Sequence, residues 1–197
     1  MMSGIETING PAGAIELLQG GDAESRRGIV VCHPHPLYGG NMFDGVVDDV
    51  CSGAHEAGLA YVRFNFRGVG GSEGTHDQGT GEVSDLMSVM TWLGERTDST
   101  CVAGYSFGAG IASHCAGDVV KILVAPPATM LAEELGSMPV LVIAGELDTI
   151  APPLALEARL QHADNVTLST IAEADHFFGN GRSVLKREVS DFLTRHL

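Results

Sequence analysis

Five strand-sized runs of almost unbroken apolar residues punctuate the chain, at 28–32, 60–66, 100–104, 120–124 and 140–144. A strand with one wet face alternates apolar and polar residues, so runs of this kind must be covered on both faces. Between them, segments 42–57, 82–96, 106–115, 153–162 and 183–196 repeat apolar residues at three- and four-residue spacing, the period of a helix resting on a sheet. One further strand, 165–171, precedes the last helix. Such alternation builds a mostly parallel sheet with helices on both faces, an α/β fold. Ahead of it, 5–8 and 14–19 read as two short strands around a Gly/Pro turn, a hairpin at a sheet edge.

The chain has 197 residues, enough for one hydrophobic core, and contains neither an internal repeat nor a Pro/Ser-rich linker, so a single domain over 1–197 is expected. Its longest apolar runs are far below the roughly 20 residues of a membrane span. The amino terminus lacks the basic-then-apolar pattern of a signal peptide, which makes the cytoplasm the default location. The four cysteines, Cys32, Cys51, Cys101 and Cys115, are irregularly spaced and read as buried thiols rather than metal ligands. A formal charge of −14 opposes binding to nucleic acid or anionic lipid and leaves small molecules as the favoured partners.

In a parallel sheet, reactive residues sit on the loops after the carboxyl ends of the strands. Gly104-Tyr105-Ser106-Phe107-Gly108 matches G-x-S-x-G between an apolar run and a small-residue helix, the strand–turn–helix context that exposes a nucleophilic serine. The competing reading is a glycine-rich helix start capped by serine. A serine hydroxyl needs a base to take its proton and an acid to orient that base. Asp148 follows the run at 140–144, and His176 follows the last strand. The chain order Ser106, Asp148, His176 is that of a Ser-His-Asp triad on such a sheet. Glu146 and Asp175 are alternative orienting acids, although Asp175 adjoins His176 and folds back onto its ring with difficulty. Asp148 could also serve as a helix cap.

Negative charge developing on a carbonyl oxygen needs donors. The backbone N–H of Phe107 is one candidate. The second is expected in the loop His33-Pro34-His35-Pro36-Leu37, where the prolines have no N–H; His35 is favoured and Leu37 is second. His33 and His35 alternate as in some metal sites, but no third ligand is suggested, so neither metal nor cofactor is expected. The Gly-rich turn 67–72 lacks the lysine of a phosphate loop and reads as structural. Arg63 and Arg67 are expected to pair with Glu82 or Asp85, and Trp92 to lie in the core.

Taken together, VVCHPHPLYGGNM, VRFNFRGVGGSEG, GTGEVSDL, AGYSFGAG, VAPP, IAGELD and ADHFFGN resemble, in content and order, a family of small bacterial α/β-hydrolases known mostly as predicted esterases without a lid. The resemblance runs from about Gly28 to His196. It implies the α/β-hydrolase fold and a serine hydrolase with Ser106, Asp148 and His176 as triad, without implying a substrate. Only 126–138 separates two core strands where lipases insert a cap, so the site should be open and suited to short, water-soluble esters. Leu37, Tyr38, Phe107, Ala128, Met130 and Phe177 are candidate pocket walls. A thioesterase or small amidase or peptidase would use the same triad, and a non-catalytic small-ligand binder could keep the fold. Either a monomer or a homodimer paired through an exposed edge strand fits the sequence.

Overall fold

The computed structural model describes residues 4–197 and contains one eight-stranded sheet in the order β1-β2-β4-β3-β5-β6-β7-β8. The hairpin β1 (Ile5–Gly10) and β2 (Gly13–Gly21) is antiparallel and joins β4 (Ala60–Phe64) antiparallel as well. From there β3 (Arg27–Cys32), β5 (Ser99–Tyr105), β6 (Lys121–Val124), β7 (Val140–Gly145) and β8 (Val166–Ile171) continue in parallel. Both hairpin strands are longer than their apolar content suggests, because backbone pairing extends the ladder through polar residues. β1 and β8 form the edges.

The two-sided apolar character of the central strands divides the core into two layers. Val30, Cys32 and Val102 face Leu86, Val89 and Leu93 of α2 (Thr80–Gly94), Ile111 of α3 (Phe107–Ser113) and Leu156 of α4 (Pro153–Leu160). Ile29, Val31, Cys101 and Ala103 face Val47 and Val50 of α1 (Gly45–Glu56) and Leu185, Val189 and Phe192 of α5 (Arg182–His196). The four cysteines are buried within these layers and unpaired. Trp92 packs against the core as expected, partly buried, with the Arg96 guanidinium 4.1 Å from its ring centroid. No helix among the described residues is long and apolar enough to cross a membrane. The 125–139 connection contains only one turn of 3-10 helix, Ala128–Met130, and no lid.

Strand β4 ends at Phe64, two residues before its apolar run does. Phe66 leaves the ladder because its amide donates to His33 Nε2 at 3.0 Å; the Asn65 amide still bonds the Glu16 carbonyl of β2 at 2.9 Å, while the Asn65 side-chain Oδ1 accepts the Met42 amide at 2.8 Å. Helix α1 starts at Gly45 rather than 42, because the Asp44 side chain takes the Val46 amide and sets the start there. Arg67 pairs with Asp85 as expected, through Nε at 3.0 Å and Nη2 at 2.8 Å, and its own amide donates to the same carboxylate. The expected pairing fails for Arg63, which binds Asp48 of α1 at 3.1 Å. Glu82 instead accepts the Asp77 and Gly79 amides ahead of α2.

Asp85 is 1% exposed and holds the turn after β4 against α2. Asp85→Ala would leave the largely buried Arg67 guanidinium with only the exposed Asp77 carboxylate, 4.0 Å away. We expect a loss of about 3–5 kcal/mol, read as a lower urea midpoint at unchanged m.

Candidate active site

Strand order reverses at β3 and β5. The connection from β3 to β4 moves toward one edge, and the connection from β4 to β5 crosses back over β3, so the loops after β3 and β5 open a crevice between them. Gly108 makes the approach close: a Cβ there would collide with the carbonyls of Cys32 and His33, and one on Gly104 would collide with the Gly108 carbonyl. Between these glycines Ser106 adopts φ 54° and ψ −118°. Its amide donates to the Val124 carbonyl at 2.8 Å, and its carbonyl accepts the Ala109 and Gly110 amides as α3 begins.

On the other side of the crevice, β7 runs beneath the loop that follows β8. Gly145 permits this, since a Cβ would sit 2.5 Å from the Ala174 carbonyl. The Leu147 amide donates to the Ala174 carbonyl at 2.8 Å, and Glu146 Oε2 accepts the Glu173 amide at 2.9 Å. Asp148 is then fixed by its Oδ1, which accepts the Ile150 and Ala151 amides at 2.8 and 2.7 Å. Its other oxygen, Oδ2, lies 2.7 Å from His176 Nδ1, and His176 Nε2 lies 2.9 Å from Ser106 Oγ. With Nδ1–H donated to the carboxylate, Nε2 is left as an acceptor for the serine hydroxyl.

Asp148 and His176 are 3% and 6% exposed. Burial works to raise the Asp148 pKa, but the hydrogen bond from His176, those from Ala151 and Ile150, and the His176 charge outweigh it and hold the carboxyl below the ordinary aspartate value. The two alternative acids are engaged elsewhere. Glu146 holds the Glu173 amide, and Asp175 Oδ1 accepts the Phe177 and Gly179 amides.

The β3 loop is stiffened by His33. Its Nε2 accepts the Phe66 amide, so Nδ1 carries the proton and donates to the Pro34 carbonyl at 2.6 Å. Both nitrogens are thereby used, which removes His33 as a metal ligand. Burial pushes its pKa down to about 4, against the smaller opposing effects of the Pro34 carbonyl and Glu82. The His35 ring packs 4.8 Å from both Phe107 and Tyr38. Among the described residues, neither the His35 nor the Phe107 amide has an acceptor. The Leu37 amide is taken by His35 Nδ1 at 3.2 Å, which leaves Leu37 without a free donor.

These loops enclose a cleft of about 400 Å³ whose lining includes His35, Tyr38, Ser106, Phe107, Met130, His176 and Phe177. Two expected wall residues are absent. Leu37 is 70% exposed and outside the lining, because the turn Pro36–Tyr38 carries it over the rim, and Ala128 is likewise excluded. Tyr105, Asp44, Pro127 and Ile150 line the cleft although the sequence did not single them out. The Tyr105 hydroxyl donates to the His176 carbonyl at 3.0 Å. Its place as the first x of G-x-S-x-G was the available signal. Asp44 and Ile150 had only loop positions after strand ends to suggest them.

Residues 29–195 match the family described as the alpha/beta hydrolase family. An uncharacterized protein of Rickettsia prowazekii is 31% identical over 94% of this chain and 87% of its own. Among solved structures, XC6422 from Xanthomonas campestris, described as an α/β serine hydrolase without lid, is 32% identical. It aligns with a TM-score of 0.91 over 100% of this chain and 96% of its own. An alpha-beta serine hydrolase homologue from Coxiella burnetii is 34% identical with a TM-score of 0.85, over 100% of this chain and 98% of its own.

Two outcomes follow from the geometry. Because His33 is held neutral, its contribution is complete above its ordinary pKa of 6.5 and is lost as pH falls from there toward 4. Urea titrations should show a fall of up to about 3 kcal/mol across that window beyond whatever His33→Gln shows, since glutamine keeps an acceptor but does not titrate. Ser106→Gly should relieve the backbone strain and raise stability by about 1–2 kcal/mol in the same assay.

Proposed function

The chain belongs to the alpha/beta hydrolase family, and from that premise we propose that it is a serine carboxylesterase acting on small esters through an acyl-enzyme on Ser106. The observation that carries this reading is the continuous hydrogen-bonded line Ser106 Oγ, His176, Asp148, whose serine end lies in an open cleft. His176 Nε2 takes the hydroxyl proton as Oγ attacks the ester carbonyl, and the imidazolium so formed is stabilised by Asp148. The amides of Phe107 and His35 receive the developing oxyanion; their lack of other acceptors supports this role. His176 then protonates the departing alcohol, and the C–O bond to it breaks. Water, deprotonated by the same nitrogen, attacks the acyl-enzyme and releases the acid and free Ser106.

Several features favour short, soluble esters. The connection after β6 supplies no cap, and the cleft, lined largely by apolar side chains, holds only about 400 Å³. A long acyl chain would extend past Tyr38 and Phe177 into water.

A fluorophosphonate probe should add once to the wild type and not to Ser106→Ala, as read by intact mass. Ser106→Ala and His176→Ala should each lower kcat for a short p-nitrophenyl ester by about 10³-fold or more, and Asp148→Asn by about 10³- to 10⁴-fold. Turnover should decline as the acyl chain lengthens. Absence of both adduct and turnover in the wild type would overturn the reading.

A further inference from the structure

The cleft contains a carboxylate that ester hydrolysis does not use. Asp44 lines it together with Tyr105, Ser106 and His176. Oδ1 of Asp44 caps α1 by accepting the Val46 amide at 2.8 Å, while Oδ2 has no partner among the described residues. No lysine or arginine lines the cleft. The Arg182 guanidinium lies outside the lining, is bound to Asp49 and the Gly45 carbonyl, and is shared electrostatically by Asp44, Asp48 and Asp49. Arg63 is paired with Asp48. Three carboxylates against two guanidinium groups leave this wall negative.

Tyr105 senses the same field. Its hydroxyl is pushed above the ordinary tyrosine range, first by burial and then by Asp44, Asp148 and Asp175, with no cation opposing them. Of the other two carboxylates, Asp148 has both oxygens engaged, by His176 and the Ile150 and Ala151 amides, and Asp175, whose Oδ1 accepts the Phe177 and Gly179 amides, lies outside the cleft lining. Among the described residues, Asp44 is the one carboxylate in the cleft lining, and its Oδ2 is free to meet whatever fills the cleft. In a mostly apolar cleft an unpaired carboxylate attracts a cation and repels an anion more strongly than it would in water.

We propose that Asp44 sets the charge preference of the site, so that esters carrying an ammonium group on the portion lodged beside Asp44 and Tyr105 are hydrolysed in preference to uncharged isosteres, and esters carrying a carboxylate are rejected. The inference rests on the serine esterase reading above. Asp44 acts on selection and takes no part in bond breaking.

Two isosteric pairs place the charge on either side of the ester. Acetylcholine is set against its carbon isostere, in which a tert-butyl group replaces the trimethylammonium. The p-nitrophenyl ester of γ-trimethylammoniobutyrate is set against its own tert-butyl isostere, with the p-nitrophenyl hemiester of glutarate as the anion. Each kcat/KM is divided by the rate of hydroxide-catalysed hydrolysis. The wild type should favour the cation in at least one pair by about tenfold. Asp44→Asn keeps an N-capping oxygen and removes the charge. In that variant the preference should fall to unity and relative turnover of the hemiester should rise. Added salt should erode the preference in the wild type only. Because each result is a ratio within one protein, partial misfolding of the variant does not alter it. Equal rates within both pairs, or a preference that survives Asp44→Asn, would overturn the inference while neutral esters are still cleaved. A wild type that cleaves no ester and takes no fluorophosphonate would overturn the esterase reading and this inference with it.

Discussion

Ser106 occupies φ 54° and ψ −118°, a backbone region that a Cβ disfavours, and it stays there because the surrounding chain is fixed independently of it. Its amide is held by the Val124 carbonyl, its carbonyl starts α3, and the strand leading into it is paired on both sides. The sharp turn between β5 and α3 lifts Oγ out of the core into the crevice. Without that turn the serine would continue the strand and its side chain would be packed between layers. The glycines on either side have a steric role as well as a conformational one. Gly108 lets the helix start touch the end of β3, and so brings the His35 loop beside the serine.

The other loops are positioned by buried polar groups that satisfy one another. His33 binds the Phe66 amide, Asn65 binds the Met42 amide and Glu16, and Asp85 binds Arg67. Each bond joins the carboxyl end of one strand to a neighbouring element, so the loops around the cleft form one connected frame. An unpaired buried polar group is costly, and this is why the frame has few alternative arrangements. On the far side, Gly145 and the Leu147 amide seat the Asp148 loop under the His176 loop, and Tyr105 fixes the carbonyl of His176. The imidazole is thus oriented from its backbone and from its ring.

Large apolar side chains gather outside the frame. Leu37, Tyr38, Leu147, Ile150, Leu154 and Phe177 are all exposed, on or next to the loops around the cleft mouth. Among the described residues, no lid covers them. The cleft is consequently apolar at its rim, polar at the serine and negative at Asp44.

Much of this was legible before any coordinates. The two-faced apolar runs determined a covered parallel sheet, and G-x-S-x-G after one of them placed Ser106 at a strand end. Asp148 and His176 could be named because strand ends are few and each needs only one suitable side chain. What periodicity could not supply was the partner of Arg63, the release of Phe66 from β4, the outward position of Leu37, or the presence of Asp44 and Tyr105 in the cleft. The reason is physical. Local sequence sets which residues share a face of an element, because that depends only on the turn per residue. Which side chains meet across the crevice depends on how distant strands are ordered and how closely their ends approach, and only the packed sheet decides that.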